Sequence, residues 1–136
     1  MKILSLILLL TLPISAIAKP VIDVTKIAGK SKVQVEKILG TPTKTTKTKY
    51  GEKLSYKKGD TEIVFINGLA DWITVEDIND VPFNKKAIIS IGLEESHPVK
   101  TTDWELQWEN LQGLRSISLF KGKNMSDYIY IKVKTK

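Results

Sequence analysis

The chain has 136 residues, with 21 Lys and Arg, 15 Asp and Glu, one His and no Cys. That length holds one compact domain or two very small modules and excludes a multidomain enzyme. The lack of Cys excludes a disulfide scaffold, thiol catalysis, Cys-ligated zinc and iron–sulfur clusters, and a single His strains any His-based metal site or triad. Apolar residues at 42% and charged residues at 26% give a globular composition, not that of a disordered tail.

The first eighteen residues read as an address. Lys2 precedes an apolar run, Ile3 to Leu12; Pro13 breaks it, and Ala16-Ile17-Ala18 fits the small-x-small cleavage rule. Such a run spans about 15 Å as a helix, half of a bilayer core, so a signal peptide is favoured over a membrane anchor. Without a Cys after the site, lipidation there is ruled out. Removing residues 1–18 leaves 118, and losing Lys2 takes the net charge from +6 to +5. The expected product, residues 19–136, is a single exported domain, periplasmic or secreted. Export argues against cytoplasmic cofactors, and none is expected.

The basic charge is of the wrong kind for reading nucleic acid. All the basic residues but Arg115 are Lys, and sequence-specific readers lean on the planar fork of Arg. The lysines read as scattered. Their densest run, Lys44 to Lys49, is expected to be solvated, within a Thr/Lys-rich loop or irregular edge at residues 43–52. Weak attraction to an anionic envelope surface remains open.

The first sharp element is IAGKSKVQVEKILGTP, residues 27–42. Ser31 is placed to cap a helix, Val35, Ile38 and Leu39 share one face, Gly40 suits the C-terminal cap, and Pro42 stops further turns. Leu54 and Tyr56 then alternate with Ser55 and Lys57 in a strand. Lys58-Gly59-Asp60 is a turn, and Thr61 to Ile66 a second strand. Asn67-Gly68 is a strong hairpin signal, and Trp72 to Val75 a third strand. Residues 27–76 thus read α-β-β-β.

The second half repeats the pattern over residues 84–134. Gly40 precedes Leu54-Ser55-Tyr56 as Gly92 precedes Leu106-Gln107-Trp108. IVFING pairs with ISLFKG, and Asp71-Trp72-Ile73 with Asp127-Tyr128-Ile129. A helix from about Asn84 to Ile91, capped by Asn84, would open this unit. The expected fold class is α+β: two α-β-β-β units forming an antiparallel sheet covered on one face by short helices.

Gly29-x-Ser31, Val35, Leu39-Gly40-x-Pro42 and the three strands that follow resemble small exported BamE/SmpA-like domains, and the repeat of the β-lactamase-inhibitor-protein-like fold. The resemblance implies a non-enzymatic binder: an envelope-assembly accessory in one branch, a protein inhibitor in the other. The chain departs from the first by lacking the lipidated Cys, and from the second by lacking Cys pairs. No site residue carries over.

Candidate function falls on the sheet face away from the helices. In residues 128–134, Ile129, Ile131 and Val133 share one side, and Tyr128, Tyr130, Lys132 and Lys134 the other. In the matching strand, Trp72 and Thr74 face away from Ile73 and Val75. Aromatics with a polar rim are common interface anchors, so Trp72, Thr74, Tyr128, Tyr130 and Lys132 are the candidate protein-binding residues. The alternative is ordinary cross-strand packing. Trp104, Leu106 and Trp108 are expected to share a core-facing side.

Catalytic signals are thin. His97, Glu94, Glu95 and Asp103 are the one group from which a metal site could be drawn, but loop carboxylates near a His are ordinarily solvated. Asp71 and Asp127 are expected to start strands or cap turns rather than act as an acid/base pair. The expected function is a non-catalytic exported protein engaging another envelope or secreted protein, as inhibitor, immunity protein or assembly factor. The alternative is a small-ligand or cell-surface-polymer binder, with a weak hydrolase as its extreme.

Overall fold

The computed structural model describes residues 19–133. The expected signal peptide at residues 1–18, and Lys134 at the end of the second unit, lie outside the described residues. The chain forms one eight-stranded antiparallel sheet. In chain order the strands are β1 (Lys44–Lys47), β2 (Glu52–Tyr56), β3 (Thr61–Ile66), β4 (Leu69–Val75), β5 (Lys100–Thr101), β6 (Glu105–Leu111), β7 (Leu114–Lys121) and β8 (Ser126–Val133). Their spatial order is β1-β2-β3-β4-β8-β7-β6-β5. Two four-stranded meanders therefore meet along a β4·β8 seam, and the order of connections is the same from either edge.

This architecture corrects the α+β expectation: the fold is sheet-dominated, and the described residues form no layer of covering helices. Among the described residues one α-helix is present, α1 (Lys32–Leu39). The second expected helix is a 3-10 segment, Lys85–Ile91. Its run Ile88-Ile89-Ser90-Ile91 is poor helix material, because β-branched residues lose side-chain freedom against the preceding turn. Residues 43–52, expected as a Thr/Lys-rich loop or irregular edge, hold β1 at the sheet edge, and Lys100–Thr101 adds β5, so each meander has four strands rather than three.

α1 forms where its caps dictate. The Ser31 hydroxyl accepts from Gln34 N–H, and the Gln34 side chain accepts from Ser31 N–H, a complete capping box. At the other end Gly40 takes φ 87°, a left-handed value that glycine adopts without steric cost, and its N–H reaches Glu36 C=O. In the β3–β4 hairpin, Asn67 and Gly68 take φ 52° and 76°, as a type I′ turn requires.

The alternation of each strand divides the sheet into two faces. Register places Leu54, Ile63, Ile73, Ile131, Ile117 and Trp108 in one unbroken row across six strands, all buried. Val35 and Leu39 of α1 join this core with Val24, Ile27, Ile78 and Ile88 from short or irregular segments. Trp108 is sealed within it and donates its indole N–H to Ser96 C=O at 2.8 Å. Tyr56 also lies in the core, where burial, then the charge of Glu36, push its hydroxyl pKa up to about 12.

Trp104 does not join this core: it is 70% exposed. The expected face of Trp104, Leu106 and Trp108 holds for the last two only. β6 begins at Glu105, because the Thr102 hydroxyl accepts from the N–H groups of Trp104 and Glu105 and turns the chain before the strand.

Candidate functional site

The opposite face carries a polar and aromatic surface. Its central row is Lys44, Ser55, Glu62, Thr74, Tyr130, Ser118, Gln107 and Lys100, one residue from each strand. All five residues singled out by alternation lie on this face. Trp72 stands directly opposite Lys132, and Thr74 opposite Tyr130, across the seam. Tyr128 is one pair further along β8, where it stacks on Phe120 of β7 at 4.7 Å between ring centres.

Trp72 is the hub. The Tyr130 ring meets it edge-on at 6.1 Å, and the Lys132 ammonium sits 5.0 Å from its ring centre. A cation held over an indole face is drawn to the negative side of the ring quadrupole. Tyr50, from the β1–β2 turn, packs on the same indole at 5.5 Å. Alternation gave no hint of Tyr50, since it lies in a turn.

Beneath this cluster lies Asp71, fully buried. Register shifts between Val64 and Phe65, so that Val64 faces Trp72 while Phe65 faces Ala70. Asp71 is the extra residue of the resulting β-bulge, which breaks the strand's alternation and re-aims the side chain. Its carboxylate takes the Lys132 ammonium in an ion pair. Burial lowers the Lys132 pKa, while the adjacent carboxylate favours the charged form. The main chain at Ala70 is used elsewhere: its N–H donates to Lys30 C=O, and its C=O accepts from Gly29 N–H. Asp127, aligned with Asp71 in sequence, is exposed at the start of β8. The two carboxylates are thus in unlike surroundings and do not form a matched pair.

A second group of carboxylates lies near the end of β4. The pKa of Glu76 is raised, first by burial, then by the charges of Asp60, Glu62 and Asp127 and a hydrogen bond with Asp60. Across the sheet, Glu52 is held below the ordinary range by hydrogen bonding to Lys32 and by its charge.

His97, Glu94, Glu95 and Asp103 are not assembled into a metal-binding group. Among the described residues no three His, Asp or Glu are placed to hold an ion. Two open cavities of about 350 Å³ lie elsewhere. One is at the β7–β8 turn around Asn79 and Gly122 to Asp127; the other is bordered by Lys19, Val21, Val81, Lys86 and Ile89. Neither contains His97, Glu95 or Asp103. No helix among the described residues is long and apolar enough to cross a membrane. Comparison with family models, with curated proteins and with solved structures finds no match to this chain.

Proposed function

We infer that the chain is an exported, non-catalytic binding protein of the envelope or periplasm, engaging another protein through the open sheet face. One observation carries this reading: Trp72, Tyr130 and Lys132 stand together over the buried carboxylate of Asp71. The Asp71 pairing restrains the lysine, the lysine sits over the indole, and Tyr130 braces its edge. A restrained aromatic centre loses little side-chain freedom on binding, which is what an interface anchor needs. The apparent signal peptide supports export. The BamE/SmpA-like resemblance of residues 27–76 supports a binder of the inhibitor, immunity or assembly-factor type.

The test is affinity capture from envelope extract with the wild-type chain and with Trp72→Ala/Tyr130→Ala. Specific partners are expected to be lost from the double variant while its fold, followed by circular dichroism, is kept. Retention of every specific partner by the folded double variant would place the interface elsewhere.

A further inference from the structure

The excess positive charge is not spread over the molecule. Between Glu36 and Asp60 lie seven lysines and a single carboxylate, Glu52. Taking those seven from 21, and that one from 15, leaves fourteen basic and fourteen acidic residues in the rest of the chain. The whole net charge therefore belongs to the β1–β2 hairpin and its flanks. Within this stretch Glu52 is held by Lys32, and Lys53 by Glu62. Lys44, Lys47 and Lys49 have no ion pair among the described residues.

Two of these lysines lie on a free sheet edge. Among the described residues β1 is the outermost strand and pairs on one side only, and all four of its residues are exposed. Its bonding phase follows from the turn, where Thr48 N–H donates to Gly51 C=O at 2.7 Å. Hydrogen-bonded pairs alternate along an antiparallel ladder. The pairs Thr46·Lys53 and Lys44·Ser55 therefore bond inward, and Thr45 and Lys47 direct their N–H and C=O groups away from the sheet. The opposite edge, β5, is only two residues long.

We propose that β1 is a docking edge for an extended acidic segment of a partner protein, which adds to the sheet as a ninth strand. Main-chain bonds to Thr45 and Lys47 supply the pairing, as in other strand additions. Charge selects the occupant. A second copy of this chain would set Lys44 and Lys47 against their own like, which disfavours self-pairing. Lys44 and Lys47 differ by three positions and so project from opposite faces of the strand. The preferred segment carries carboxylates at i and i+3, one for each face. This edge is separate from the Trp72 face, and the inference does not rest on the function assigned to that face.

The experiment uses a short fluorescent peptide with Glu at i and i+3 in a Val/Thr background, a matching peptide with Lys in place of Glu, and phosphatidylglycerol vesicles. Only the Glu peptide is expected to bind, with slowed amide exchange at Thr45 and Lys47. Lys44→Glu/Lys47→Glu is expected to abolish binding. Thr45→Pro keeps the charge, removes one outward N–H at an edge position where Pro is tolerated, and is expected to weaken binding at least about tenfold. Peptide binding without amide protection, or undiminished by Thr45→Pro, would reduce the edge to a charged surface. Binding to vesicles alone, or dimerisation through β1, would also overturn the proposal. If Thr45→Pro does not fold, amide protection in the wild-type chain and the Lys variant decide.

Discussion

Lys132 on the last strand reaches across the central seam to Asp71, a carboxylate sealed from solvent on β4. Removing one partner of a buried pair takes the main counter-charge from the other, at a cost of about 3 kcal/mol or more. Lys132 is a quarter exposed, which places its loss at the lower end. Lys132→Met is therefore expected to lower unfolding stability by about 3 kcal/mol. Asp71→Leu/Lys132→Met is expected to recover most of that loss, since an apolar pair strands no charge. Urea titration of the variants decides; a single-variant loss under about 0.5 kcal/mol would mark a solvent-screened pair.

The tryptophans divide sharply. Trp108→Ala is expected to cost about 3–5 kcal/mol, by opening a cavity and releasing Ser96 C=O. Trp104→Ala is expected to stay within about 0.5 kcal/mol, as an exposed residue outside the core. Iodide should quench Trp104 emission in the wild-type chain, and the Trp104→Phe variant should lose that component. Equal denaturation midpoints for the two alanine variants would contradict the assignment.

Gly51 is fixed by space. A Cβ there would lie 1.9 Å from Phe65 C=O, far inside contact distance. Gly51→Ala must push the β1–β2 turn away from β3 and move Tyr50 off Trp72. The expected cost is about 2–4 kcal/mol, with altered near-ultraviolet circular dichroism from the Trp72 cluster. An unchanged melting curve and spectrum would show that the turn adjusts freely.

Two carboxylates pull stability in opposite directions with pH. Glu52 has a lowered folded pKa, so its contribution is present above the unfolded value and lost as pH falls through the folded one. Glu76 has a raised folded pKa, so its contribution is present below the unfolded value and lost as pH rises through the folded one. Glu76→Gln is expected to remove that loss, so the variant gains on wild type as pH rises past the ordinary carboxylate value of about 4.3. Glu52→Gln is expected to weaken wild-type-like stability at neutral pH and to matter least in acid. Urea midpoints from about pH 3 to about pH 7 test both; parallel curves for wild type and Glu76→Gln would contradict the Glu76 assignment.

The sequence was legible where local chemistry and pattern agreed. Ser31, Gln34 and Gly40 bound α1 by capping alone, and Asn67-Gly68 specifies its hairpin without help from the rest of the chain. The five face residues followed from alternation in β4 and β8. β1 was hidden because its residues are all polar and exposed, so no alternation marks it. Its strand character comes from pairing with β2. The bulge at Asp71 was hidden because alternation assumes an unbroken register. Trp104 misled because period-two spacing continues past the point where Thr102 ends the turn. The α+β expectation overstates the helices: the capped apolar run Lys85–Ile91 forms 3-10 turns, and the sheet dominates the fold.

The symmetric strand order has a consequence for synthesis. Of the eight strands β8 is made last, yet it lies at the centre of the sheet, between β4 and β7. Until it arrives, both meanders hold an open edge lined by Ile73 and Val75 on one side and Ile117 and Leu119 on the other. The final strand closes two edges at once, so a chain halted before Ser126 would be left with both of its stickiest borders uncovered.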